Sequence, residues 1–309
     1  MVKYVARRLG YMLVTFLVIS TLTFFLMQTL PGSPFNDLKL TNDQKKILYE
    51  RYDLDKPIPI RYVKYMTNLV QGDLGKSFQF EDRPVTTIIG ERIGPSAILG
   101  AQALVFGVLV GLLLGMIGAL KHNTAWDYGS MIFSVLGVSI PSFVFAGMLQ
   151  YWVGVRLGWL PIAFWEGFAH TILPTISMSV FVIATIARFM RTEMIEILGQ
   201  DYMTTARAKG LGGTAIVLKH GLRNAMIPIL TLLGPMAIGL MTGSLVIERI
   251  FSIPGLGEQF TKSIMTNDYP VIMGTTLFYS FLFIAIIFVV DILYGVIDPR
   301  IRLTGGKQL

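Results

Sequence analysis

The chain has 309 residues, of which 53% are hydrophobic and 15% charged, with a net charge of +7 and no cysteine. Soluble domains carry about a quarter charged residues, so this is the composition of an integral membrane protein, and the absence of cysteine excludes disulfides, zinc–thiolate centres and cysteine nucleophiles. In so apolar a chain (mean hydropathy +0.62) the positive balance reads as a topology signal, not as a nucleic-acid footprint.

A helix needs about 20 mostly apolar residues to cross a bilayer. Six charge-free runs meet that length: Leu9–Leu30, Ile93–Leu120, Tyr128–Val155, Gly167–Ala187, Asn224–Ile247 and Tyr269–Val290. The first is too long for the apolar region of a cleaved leader, and no small-residue cleavage pattern follows it, so it is expected to stay as a span. Lys and Arg set the orientation. With the N-terminus inside, the inner segments hold 13 of them, and the short outer segments hold 3, namely Arg156, Arg249 and Lys262. Both termini and the segment around residue 201 are therefore expected in the cytoplasm.

Between the first two runs lies the one sizeable polar region. Thr41 and Asn42 form a start signal for a helix from Gln44 to Tyr52. "DKPIP" breaks it, Ile60–Val70 reads as a second short helix, and "GDLGKS" as a turn. This predicts a small extracytoplasmic subdomain, so that residues 1–92 hold the first span and its loop and residues 93–305 a five-helix body. The second run carries Gly107, Gly111 and Gly115 at four-residue spacing, which lets another helix approach closely. The third contains "GVSIPSF". Pro141 removes a backbone hydrogen bond there, predicting a kink, with Ser139 and Ser142 placed to satisfy the freed groups. Pro228 and Pro235 raise the same expectation in the fifth. "ERIFSIPGLGEQFTKSIMTNDYP" is amphipathic and too short to span, so it is expected to lie across the mouth of the bundle.

Catalytic chemistry is missing. The sequence has no G-x-x-x-x-G-K-[ST] phosphate loop, no G-x-S-x-G and no H-E-x-x-H. His122, His170 and His220 are far apart and suggest no metal site. Ionisable groups inside spans, the usual site of an ion-coupled carrier, are scarce. Asp291 is expected to pair with Arg300 or Arg188, and Glu193 and Glu196 with Arg188 and Arg191 at helical spacing. If the chain moves a solute uphill, the energy is expected to come from another protein.

"DYMTTARAKGLGGTAIVLKHGLRNAMIP", residues 201–228, is small, basic and inserted between apolar runs. Asp201 reads as a helix cap, "YMTTARAK" as a two-turn helix, and Gly210, Gly212 and Gly213 as its end. Ala206 and Ala208 allow a partner to come close, and Arg207 and Lys209 suit an acidic cleft. Such a helix, tied to the spans on both sides, is placed to pass a push into the bundle.

This stretch resembles the EAA loop of ABC importer permeases in its peptide version. The family's glycine falls on Gly210, and Thr204, Thr205 and Ala206 stand where other branches have E-A-A. "RRLGYMLVTFLVISTLTFFLMQTLPGSP", "GDLGKSF", "RPVTTIIGERIGPS", "FSIPGLGEQFTKSIMTNDYPVIMG" and "DILYGVIDPRIR" resemble, in order, landmarks of the B-type permease of oligopeptide and dipeptide systems. The resemblance implies an all-α membrane protein of the type I importer fold: six spans with both ends inside, an extracytoplasmic subdomain between the first two, and a coupling helix between the fourth and fifth, in a loop over 199–228. It implies a second, C-type permease, two ATP-binding subunits, an extracytoplasmic binding protein and a peptide substrate, in a bacterial or archaeal cytoplasmic membrane. ATP and magnesium would sit on the partner subunits, and this chain would bind no cofactor. Asp201, Tyr202, Met203, Thr204, Thr205, Ala206, Arg207, Ala208, Lys209 and Gly210 would dock on an ATPase. Gln102, Ser134, Ser139, Thr175, Ser177 and Thr242 are the polar residues at path depth. Permeases for nickel and glutathione are closely similar, and an ion-coupled carrier is the alternative of a different class.

Overall fold

The computed structural model describes residues 2–35, 40–241 and 243–297, without the side chains of 2–5, 227 and 289–297. The described residues form thirteen α-helices and no strand. Five helical stretches are long and apolar enough to cross a membrane: Ala6–Met27, Val85–Leu120, Phe168–Leu198, Pro228–Ile250 and Tyr269–Phe288. A pair of shorter helices, Ala125–Ser139 and Ser142–Arg156, meets the same length and hydropathy requirement only when taken together across a sharp bend. The chain divides into two compact units, residues 1–94 with 256–288, and residues 95–255 with the described residues from 289.

In the first unit, α1 (Val2–Met27) is built on the first apolar run. Two of its hydroxyls turn back on the helix, Ser20 Oγ donating to the Phe16 carbonyl and Thr21 Oγ1 to the Leu17 carbonyl, each at 2.8 Å, which satisfies them without water. The expected polar helices follow as α2 (Asn42–Arg51) and α3 (Ile58–Val70). Thr41 caps α2 reciprocally with Gln44: the Gln44 amide donates to Thr41 Oγ1 at 3.3 Å and the Thr41 amide to Gln44 Oε1 at 2.9 Å. Aromatic rings hold these helices down, with Phe35 stacked on Tyr52 and Phe24 on Tyr65.

Asp268 locks this unit. It is buried, and it accepts bonds from Ser77 Oγ and from the Phe78 amide at 3.0 Å. Burial pushes its carboxyl above the usual carboxylate range, against the pull of those hydrogen bonds. The folded form therefore binds the proton more readily than the unfolded chain, and this residue's contribution to stability falls as pH rises through its folded-state value. Melting wild type and Asp268→Asn in detergent across the carboxylate range should show it: the variant is expected to lose that part of the pH slope. Identical slopes would sink the assignment.

In the second unit, the glycine stripe of α4 (Val85–Leu120) meets α7 (Phe168–Leu198). A Cβ at Gly107, Gly111 or Gly115 would stand 2.6–2.8 Å from atoms of Val182, Ile186, Ala187 or Met190. The stripe is thus filled by a helix of the same chain. The expected kink at Pro141 is a break. α5 (Ala125–Ser139) and α6 (Ser142–Leu149, continued by a π-helical stretch Gln150–Arg156) are inclined by 104°. Ile140, held extended by the following proline, makes the corner (φ −84°, ψ 121°). Neither Ser139 nor Ser142 takes up a freed backbone group among the described residues, so the break is left without the hydroxyl repair expected of it.

Candidate functional site

After α7 the chain turns at Gly199 and Gln200 and forms α8 (Asp201–Ala208). The cap is Gln200, extended at φ −74° and ψ 150°, and not Asp201. Asp201 is instead the first helical residue, where its negative charge faces the positive end of the helix dipole. At the other end Gly210 stands at φ +76°. Its amide donates to the Arg207 carbonyl at 3.0 Å, and the Leu211 amide to the Ala206 carbonyl at 3.3 Å. This is the Schellman ending, whose left-handed residue suits glycine.

The helix has two faces. Met203 and Ala206, three residues apart, are buried against Ile216, with Ile197 and Leu198 beside them. Asp201, Tyr202, Thr204, Thr205, Arg207, Ala208, Lys209 and Gly210 are exposed. So the two apolar residues seat the helix on its own chain, and the polar ones present a surface. Asn224 Nδ2 donates to Tyr202 Oη at 3.2 Å, adding a side-chain tie. The return path is α9 (Gly213–Ala215), a π-helical stretch Ile216–Leu222, and α10 (Arg223–Met241). A widened turn of this kind is a common feature of functional sites.

α7 is anchored by a pair that the sequence reading missed. Arg191 donates from Nε to Asp127 Oδ1 at 2.5 Å and from a terminal nitrogen to Oδ2 at 2.8 Å. The Asn123 amide and His122 Nδ1, each at 3.0 Å, complete the carboxylate's surroundings. Arg191 thus reaches across to α5, where the expectation was a glutamate on its own helix. A signal was available: Asp127 precedes the third apolar run and Arg191 follows the fourth, so both fall at the same face of the bundle. Asp291, expected to pair with Arg300 or Arg188, lies outside the described side chains.

The path residues are not brought together as a set. Thr175 Oγ1 donates to Gln102 Oε1 at 2.9 Å, and both border an apolar hollow of about 530 Å³ with Phe106 and Phe168. Ser134 and Ser177 are buried and donate to their own helices, to the Ser130 and Leu173 carbonyls at 2.8 Å. Ser139 is exposed. Thr242 lies outside the described residues.

Several long apolar helices joined by polar segments define a multi-pass membrane protein. The chain belongs to the family described as binding-protein-dependent transport system inner membrane component: residues 107–303 match it, and residues 1–93 match the family of its N-terminal part. It is 48% identical over 303 residues to the dipeptide transport system permease protein DppB of Lactococcus lactis subsp. cremoris, covering 98% of this chain and all of that one. It is 45% identical over 304 residues to the protein of the same name from Bacillus subtilis, covering 98% and 99%. It is 40% identical over 305 residues to the oligopeptide transport system permease protein OppB of Escherichia coli, covering 98% and 100%. Among solved structures, an amino acid ABC transporter with histidines matches with a TM-score of 0.50 and 17% identity, over 67% of this chain and 93% of that one. That likeness shows the fold.

Proposed function

We propose that this chain is the permease subunit of an ATP-driven importer of dipeptides or oligopeptides. The observation that carries the reading is the near-full-length identity to dipeptide and oligopeptide permeases. Those relatives favour peptide over nickel or glutathione, and the few ionisable groups in the spans weigh against an ion-coupled carrier.

The chain lies in a bacterial cytoplasmic membrane with six spans, the broken pair counted as one, and both ends inside. Lys and Arg distribution supports that orientation. Residues 1–92 form the first span and an extracytoplasmic subdomain, and residues 93–305 the five-helix body. A second permease completes the path, a binding protein delivers the peptide, and two ATPases outside this chain carry ATP and magnesium.

The exposed face of α8 meets one ATPase. Arg207 and Lys209 orient it toward acidic groups, while Tyr202, Thr204, Thr205 and Ala208 supply contact. Because Met203 and Ala206 are packed on Ile216, a push on α8 is carried into the chain instead of being absorbed by a loose loop. α7 and α10 transmit it to the path.

Co-expression with the two ATPases, the second permease and the binding protein tests this. ATPases should co-purify, and di- to pentapeptides should be taken up in competition with one another and not with nickel. In Gly210→Asp, a left-handed backbone with a Cβ costs about 1–2 kcal/mol and distorts the end of α8. Peptide uptake is expected to fall while the spans stay folded, and hydrolysis to run without uptake. Undiminished uptake in that variant would refute the coupling role; nickel competition would refute the substrate.

A further inference from the structure

The first compact unit contains a cavity of about 390 Å³ that the transport reading does not use. Phe24 and Met27 border it at the end of the Ala6–Met27 span, and Tyr269 and Met273 at the start of the Tyr269–Phe288 span. The cavity is therefore at the level where a bilayer's hydrocarbon gives way to its headgroups.

Arg61 and Tyr65 line the same cavity, four residues apart on α3 and so on one face of it. Of the three other cations that line it, Arg51 pairs with Asp82 and Lys64 with Asp53, while Lys76 lies in the segment after α3. Arg61 has no ion pair among the described residues, although it is partly buried and withdrawn from water. A guanidinium stays charged in proteins, and a desolvated charge without a counter-ion is costly. The Tyr65 hydroxyl is buried with no hydrogen-bond partner, although its ring is stacked on Phe24 at 5.7 Å. An orphaned buried donor is costly in the same way. A guanidinium without an ion pair and an orphaned hydroxyl thus share a cavity with an apolar floor.

We infer that this cavity binds the phosphate group of a membrane phospholipid, with Arg61 and Tyr65 donating to phosphate oxygens and the Phe24, Met27 and Met273 side holding the first methylenes of the tails. Guanidinium geometry matches phosphate. Aromatic and basic residues at the membrane boundary are the usual means of holding headgroups. The volume falls at the lower end of small-ligand sites, about 300–1,000 Å³. A free phosphate ion would satisfy the two donors but leave the apolar floor uncovered, which favours the lipid. The inference does not depend on which solute is transported.

The test uses the full chain with the subunits that co-purify with it, stripped of lipid by detergent exchange. Phosphatidylglycerol is titrated in, binding is read by native mass spectrometry, and thermal stability is followed with and without lipid. Arg61→Gln is expected to weaken lipid binding about tenfold, as for a lost charge-assisted bond. Tyr65→Phe is expected to weaken it about threefold and to leave the lipid-free melting temperature unchanged or higher, because the orphaned hydroxyl is gone. A purely structural role for Tyr65 would instead lower the lipid-free melting temperature. Lipid binding by both variants equal to wild type would overturn the inference. So would inorganic phosphate alone reproducing the full stabilisation, since the ligand would then be a free anion.

Discussion

Asp127→Ala is expected to lower the thermal stability of the purified chain sharply and to abolish uptake. Asp127 is 1% exposed, and its carboxylate takes both guanidinium bonds of Arg191. Removing the acid leaves a largely buried cation facing a void. Breaking a buried pair from one side costs about 3–5 kcal/mol, because the surviving charge stays desolvated. The Arg191 side chain keeps 19% of its surface, which places the expected cost at the lower end, about 3 kcal/mol. Asp127→Asn should fall between, since an amide still accepts from Arg191 and the Asn123 amide but carries no charge. Melting in detergent and uptake in proteoliposomes are the readouts. A variant that melts with its parent and transports normally would mean that the clamp is idle. If α8 couples transport to an ATPase as proposed, then because α7 leads directly to α8, loosening it from α5 should reduce uptake per ATP hydrolysed even where the protein is recovered folded.

The second large effect concerns the glycine stripe. At Gly115 an added Cβ would stand 2.6 Å from the Ala187 carbonyl oxygen and from Met190 Cβ. A backbone carbonyl in a helix cannot swing aside, so α4 must move off α7. Overpacking a well-filled site costs about 1–3 kcal/mol, and occasionally more; Gly115→Leu should exceed that range and leave little folded protein. The same helix supplies the control. At Gly90 an added Cβ meets nothing within 4 Å, and alanine is the better helix former by about 0.5–1 kcal/mol. Gly115→Ala should therefore destabilise while Gly90→Ala is neutral or stabilising. Equal effects at the two positions, measured by melting and by folded yield, would show that close approach is not the reason for glycine at 115.

These cases separate what one chain carries locally from what packing adds. Position 115 was readable as a packing glycine from its spacing with 107 and 111, because small residues every four positions make a flat strip on any helix. The identity of the opposing helix was not, since nothing local distinguishes one apolar helix from another as a partner. Thr41 and Gly210 were readable as helix boundaries, because their chemistry acts within a few residues. Asp201 was misassigned by one position: an acidic residue suits both the cap and the first turn, and only the backbone dihedrals of Gln200 decide between them.

By itself, the sequence determined the all-helical membrane class, the apolar runs, the two polar helices after the first of them, and, to within a residue at each end, the short helix that follows Gln200. Each rests on a local cause: run length against bilayer thickness, capping groups within a turn, and the steric demand of proline or glycine. Tertiary structure alone decided that the third run breaks by 104°, since a proline specifies a weak point and the surrounding helices set the angle. It alone joined Asp127 to Arg191, 64 residues away, and turned Met203 and Ala206 inward while leaving the basic face of α8 bare. Long-range pairing depends on which surfaces meet when the helices pack, and that information is spread over the whole chain.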